Sequence, residues 1–322
     1  CSPEYPTWPE LQDFLAKGSP HRALRRDEAL NHLHWATTRR AQPDSLFALA
    51  IDHRAPLEAM ADAAGASREK LGAFKRLAVA AAARVAAGRS GYGMLLDETY
   101  GRDALFDAAK HPLWIGRPVE QSGSRPLRFE SGPDIGSRLV EWPAAHTIKC
   151  LALYHPDDDP WLKAEQGRTL RGLHDAARRL GRELLVEIVA GRHGGLEGDA
   201  VARALRDLYE LGIRPDWWKL EPQASHEAWA AIGEVIARKD PWCRGILMLG
   251  LDAPEAELQQ AFHAASDVPA VRGFAVGRTI FGDAARAWLA GEIDDQAAVD
   301  DMAERFGRLA RSWEAARSAR AA

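Results

Sequence analysis

The feature that most constrains this chain is a rhythm that begins near residue 45. Short aliphatic runs, at 46–52, 92–97, 113–119, 147–154, 183–189, 216–221, 245–251 and 271–277, alternate with longer segments rich in Ala, Leu, Arg and Glu. Several runs are almost continuously apolar, as parallel strands buried on both faces are. The intervening segments, such as 168–180 and 199–211, are amphipathic with helical spacing. Strand then helix, repeated, produces right-handed βαβ units and a parallel sheet. Eight repeats in roughly 250 residues fit a closed α/β barrel, the (β/α)8 or TIM barrel; a doubly wound open sheet is the alternative arrangement. The reading is therefore a barrel over 45–322 with an N-terminal helical extension or linker over 1–44.

Within the extension, 8–15 reads as a short helix, Gly18-Ser19-Pro20 as a break, and 22–40 as a basic helical stretch with Asp27 as N-cap. Residues 121–141, rich in Gly, Ser, Pro and Arg, interrupt the rhythm and read as a long loop or lid on the catalytic face. Helices at 283–289 and 300–319 are expected to close the barrel. A chain that starts at Cys1 instead of Met reads as a fragment or a processed piece. The net charge of −4, with no basic block, argues against a nucleic-acid partner, so an anionic ligand has to be held by local charge. Cys1, Cys150 and Cys243 form no CxxC, which favours a reducing, cytoplasmic setting. No apolar run approaches the length of a membrane span. The eleven tryptophans read as packing residues.

Active sites of such barrels are built at the C-terminal ends of the strands. The first run ends Ile51-Asp52-His53-Arg54 and the second Leu96-Asp97-Glu98; the third contains Arg117 and is followed by Glu120; the next three carry Lys149, Glu187 and Lys219 between apolar neighbours. Charges in such places are costly unless paired or functional, and a structural Lys149–Glu187 ion pair is the plain alternative. The functional reading starts from the amine: lysine attacks a ketone only when unprotonated, and its ordinary pKa is ~10.4. Apolar walls, expected to include Trp217 and Trp218, and a second cation at Lys149 would favour the neutral amine of Lys219. Glu187 can shuttle protons, and Asp52 can orient a substrate hydroxyl or take its proton. This chemistry requires no metal and no cofactor. Asp97-Glu98 is either a partner for Lys149 or a strand-end salt bridge. Gly250, Gly273 and Gly277 lie where barrels bind phosphate through backbone N–H groups and a helix N-terminus, with Arg278 as a bidentate contact.

The pattern of Asp on the first strand, Lys on the fourth, Glu on the fifth and Lys on the sixth resembles the class I aldolases, tagatose-bisphosphate aldolases in particular. Ala50-Ile51-Asp52-His53-Arg54, Lys219-Leu220-Glu221-Pro222 and Gly273-Phe274-Ala275-Val276-Gly277-Arg278 more closely resemble the bacterial inositol-catabolism aldolase domain. In many bacteria that domain follows a ribokinase-like sugar kinase, and NHLHWATTRR at 31–40 resembles the segment after the kinase. The resemblance implies a covalently fused upstream kinase absent from this chain, which has no glycine-rich sugar-kinase signature. It also implies cleavage of 6-phospho-5-dehydro-2-deoxy-D-gluconate to dihydroxyacetone phosphate and malonate semialdehyde. Lys219 would be the Schiff-base lysine, with Lys149, Glu187 and Asp52 around it. That small-molecule sugar phosphate bears a carboxylate where bisphosphate sugars bear a second phosphate, and Arg54, His53 and Arg117 are the candidates to hold it, with Glu120 nearby.

Three other readings stay open. One is a tagatose or fructose bisphosphate aldolase. Another is a metal-dependent aldolase or hydrolase using His53, His146, His155, His193 and the Asp run 157–159, although these lack HxxxH or HxH spacing. The third is a non-catalytic sugar-phosphate sensor that regulates a fused kinase. Homo-oligomerisation is compatible with all of them.

Overall fold

A computed structural model describes residues 27–196 and 198–321. The eight strands are β1 (Leu46–Ala50), β2 (Tyr92–Leu95), β3 (Trp114–Pro118), β4 (Thr147–Ala152), β5 (Leu184–Ile188), β6 (Trp217–Leu220), β7 (Gly245–Leu249) and β8 (Val271–Val276). They form a closed barrel in sequence order. Parallel pairing of β1 with β8, Phe47 opposite Phe274, shuts the ring and removes the open-sheet alternative. Each aliphatic run of the sequence contains one strand, and the strands are shorter because the last residues of each run leave the sheet to form the mouth.

Before the barrel, α1 (Glu28–Thr38) is capped by Asp27, whose carboxylate accepts from the Leu30 amide at 2.9 Å. The expected helix at 8–15 and the break at 18–20 lie outside the described residues. The helices that follow are α2 (Ala55–Ala63), α3 (Lys70–Ala86), α4 (Arg102–Ala108), α5 (Ile135–Val140), α6 (Pro160–Arg179), α7 (Ala200–Glu210), α8 (His226–Lys239), α9 (Glu255–Ala265), α10 (Arg278–Leu289) and α11 (Asp295–Ala321). The segment 121–141 does not stand free. It folds back on β3: the Glu130 amide donates to Val119 O at 3.0 Å and the Gln121 amide to Arg128 O at 2.8 Å, with α5 at its end. No helix among the described residues is long and apolar enough to cross a membrane.

Side-chain parity sorts the core into two layers, because successive strand residues point to opposite faces. Leu46, Ala48, Ala50, Leu95, Trp114, Leu185, Trp217, Leu247 and Ala275 fill the barrel interior. Their alternates, such as Leu49, Ile115, Ile148, Val186 and Trp218, belong to the larger cluster packed against the helices. Gly273 is needed for this interior. It has φ +151°, sits at the register shift between β7 and β8, and a Cβ there would lie 2.0 Å from Leu46 O. Gly273 thus serves the close approach of β8 to β1 and, unlike Gly250 and Gly277, is not among the residues that line the strand-end cavity.

Candidate active site

The same parity that fills the barrel aims its charged residues at the mouth. Lys149 shares the face of Thr147 and Leu151, Glu187 that of Leu185, and Lys219 that of Trp217. In register, Leu151 lies opposite Glu187 and Glu187 opposite Lys219, so neighbouring strands deliver these groups side by side. Asp52 follows β1 and Glu120 follows β3. All five are buried, each under one-tenth exposed.

Lys149 Nζ is the hub. It lies 2.9 Å from Asp52 Oδ2, 2.8 Å from Glu120 Oε1 and 3.0 Å from Glu187 Oε2. The other oxygen of Glu187, Oε1, accepts from Lys219 Nζ at 2.9 Å. Glu120 also accepts from the Leu151 amide at 3.2 Å. Arg54 donates to Glu120 O at 2.9 Å and pairs with Glu130 Oε1 at 3.1 Å. These groups lie at the base of a cavity of about 730 Å³ that opens at the C-terminal ends of the strands.

Burial opposes the charge of Lys149, but Asp52, Glu120 and Glu187 together outweigh it and raise its pKa well above the ordinary lysine value. Burial likewise favours neutral carboxyls at Asp52 and Glu187, yet Lys149 and Lys219 reverse the balance and hold both below the usual carboxylate range. His53 goes the other way: burial pulls it down to about 4, against the upward pull of Asp52, and its ring is neutral at pH 7. Lys149 is therefore no bare cation beside Lys219. Three carboxylates neutralise it, and it reaches the second lysine through the shared Glu187.

His53, Arg54, Glu120, Gly250, Gly277 and Arg278 line this cavity together with Asp52, Lys149, Glu187 and Lys219. Arg117 does not. It has the parity of Ile115, points to the helical side, stacks 4.0 Å from the Trp142 ring and pairs with Glu98 at 2.6 Å. Its expected place at the substrate is corrected by the period of two along β3. Trp218 faces outward as well, its indole donating to Tyr209 O–H at 2.8 Å, while Trp217 sits one layer below Lys219. The expected aromatic wall is thus a charged ring. Asp97 pairs with Lys75, and Glu98 bridges Arg117 and Arg138; neither contacts Lys149 in the network. The histidines of the metal reading are scattered, and no three His, Cys, Asp or Glu among the described residues gather as a metal-holding group.

Three contributors were not singled out from the sequence. Glu221 lines the mouth and accepts from the amides of Ala190 and Gly191 at 2.7 and 3.0 Å; burial raises its pKa despite those two bonds. Its parity with Lys219 was the available signal. Arg192 lines the cavity from the loop after β5, and the glycines around it hinted at a loop lying close to a ligand. Lys75, fully buried in α3, donates to Ile51 O at 2.8 Å and His53 O at 3.0 Å, bracketing Asp52. Its long-range partners left no local trace.

The fold is shared with a fructose-bisphosphate aldolase from Plasmodium falciparum, at TM-score 0.65 and 12% identity over 89% of this chain and 95% of that one. It is also shared with Cgl0159 from Corynebacterium glutamicum, at TM-score 0.55 and 19% identity over the same shares, 89% and 95%. At these identities the likeness is one of fold. No curated protein matches the chain in sequence. A family model described as "uncharacterized protein conserved in bacteria" (DUF2090) matches residues 10–317, and the chain belongs to that family.

Proposed function

We propose that the chain is a class I, Schiff-base-forming aldolase that cleaves a keto-sugar phosphate, with Lys219 as the nucleophile. The observation that carries this reading is Glu187 standing between two buried lysines, 2.9 Å from Lys219 and 3.0 Å from Lys149, at the floor of the strand-end cavity. A structural ion pair needs only one lysine and one carboxylate. Here the carboxylate of Glu187 is positioned to take the ammonium proton of Lys219, freeing the amine to attack a ketone carbon. The acid so formed is within reach of the carbinolamine oxygen and can return the proton as water leaves. Lys149 stays charged and stabilises the Glu187 carboxylate before the first of these steps and after the second. In the iminium, electrons of the cleaved C–C bond flow to nitrogen, giving an enamine. Asp52, an ionised acceptor held 2.9 Å from Lys149, takes the proton of the substrate hydroxyl that becomes the aldehyde. In this reading the substrate phosphate binds at Gly250, Gly277 and Arg278, which line the cavity where α10 begins.

Among substrates, the motifs at Asp52, Lys219 and Arg278 support 6-phospho-5-dehydro-2-deoxy-D-gluconate, cleaved to dihydroxyacetone phosphate and malonate semialdehyde. The shared fold with a fructose-bisphosphate aldolase supports a sugar bisphosphate as the second reading. Relative turnover of the two separates them. The mechanism itself is tested by borohydride reduction in the presence of dihydroxyacetone phosphate. A stable adduct on the Lys219 peptide is expected, with none in Lys219→Met; turnover retained by Lys219→Met overturns the reading.

A further inference from the structure

Five cations among the described residues line the cavity, and four are already matched to carboxylates. Lys149 is held by Asp52, Glu120 and Glu187, Lys219 by Glu187, Arg54 by Glu120 and Glu130, and Arg278 by Asp252 at 3.1 Å. Arg192 is the exception: no ion-pair or hydrogen-bond partner among the described residues holds its guanidinium, and it lines the mouth from the loop after β5.

That loop is fixed from below. Glu221 Oε2 accepts from the amides of Ala190 and Gly191, and His155 Nε2 is 3.0 Å from Gly195 O. Gly194 lets the chain lie directly on the His155 ring, since a Cβ there would come within 2.5 Å of it. A cation on a loop anchored at both ends is set beside the cavity without an anion among the described residues to neutralise it. The ring order adds the geometry. Arg192 follows β5 and Arg278 follows β8, so β6, which carries Lys219, lies between them.

We propose that Arg192 is the second anion-holding group of the site, and that the substrate is a linear, doubly anionic ketone. One anion sits at Arg278 and the other at Arg192, with the carbonyl between them over Lys219. This rests on the aldolase reading and deepens it, because it assigns the far end of the substrate to a residue outside the catalytic charge network. His53 is neutral at pH 7 and Arg54 is committed to two carboxylates, which leaves Arg192 as the group able to offer a free fork to a carboxylate or a second phosphate.

The test is calorimetric binding of three ligands without a ketone or aldehyde: 6-phosphogluconate, glucitol 1,6-bisphosphate and glucitol 6-phosphate. The wild type is expected to bind at least one doubly anionic ligand more tightly than glucitol 6-phosphate, and the tighter of the two identifies carboxylate or phosphate as the far anion. Arg192→Gln is expected to weaken that ligand by about 10-fold or more, the size of a lost charge-assisted hydrogen bond, and glucitol 6-phosphate by less than about twofold. Arg192→Lys should recover part of the loss. Equal weakening of all three ligands, no weakening, or no wild-type preference for a second anion overturns the proposal. Because these ligands form no imine, failure of the Schiff-base reading shows separately, as an absent borohydride adduct on the wild type.

Discussion

At the scale of the residue, the chemistry turns on one carboxylate with two faces. Glu187 Oε1 meets Lys219 and Oε2 meets Lys149, so its proton affinity is set by both. Glu187→Gln keeps the volume but cannot cycle a proton. The expected outcome is a fall in kcat of about 10²- to 10⁴-fold with a smaller change in KM, measured by steady-state kinetics. The borohydride adduct should form more slowly in the same variant, because amine activation is lost too. The sequence showed the charges of this site but not their alliances. Lys149, Glu187 and Lys219 stood out as polar residues in apolar strands. That Lys149 is neutralised three times over, and that Arg117 turns away, followed only from parity and neighbours.

At the scale of the element, α3 is joined to the end of β1 by Lys75. Its ammonium holds the carbonyls of Ile51 and His53 and pairs with Asp97 in a site without solvent. Asp97 in turn accepts from the Tyr100 amide at 2.9 Å, tying the start of the loop after β2 to the same point. Lys75→Met removes one partner of a buried pair and leaves Asp97 uncompensated, so a loss of about 3–5 kcal/mol is expected in chemical denaturation. Lys75→Met combined with Asp97→Asn should recover part of that stability. It should still lower kcat, because the backbone on either side of Asp52 is no longer held. The helix periodicity of α3 was legible, but Lys75 looked like any lysine on a helix. What makes it structural is a contact with residues 22 positions away.

At the scale of the whole molecule, the barrel concentrates opposite charges at one end, and acid should weaken it first through its half-buried histidines. Burial holds the folded-state pKa of His53 and of His146 at about 4, below the ordinary 6.5. Between those values the unfolded chain binds protons that the folded chain refuses, so stability falls as pH drops through 6.5 toward 4. Each histidine is expected to cost about 2 kcal/mol between pH 7 and pH 5. His146→Gln should flatten that slope by its share, read from urea midpoints at the two pH values. Asp52 and Glu187 act in the same sense in a lower window, with stability that is present above the ordinary carboxylate pKa and lost as pH falls further.

What the sequence determined by itself was local: the length of each aliphatic run, the helical spacing between runs, the Asp27 cap, and the order of charged residues along the chain. These are written in periods of two and 3.6 and need no distant partner to be read. The closure of β1 on β8, the inward or outward turn of Arg117 and Trp218, and the pairing that leaves Arg192 unmatched among the described residues were decided by the tertiary structure alone. The physical reason is that charge balance and strand parity are properties of contacts. Residues far apart in sequence become neighbours only when the ring closes, and the energy of a buried charge depends on what stands within a few ångströms of it.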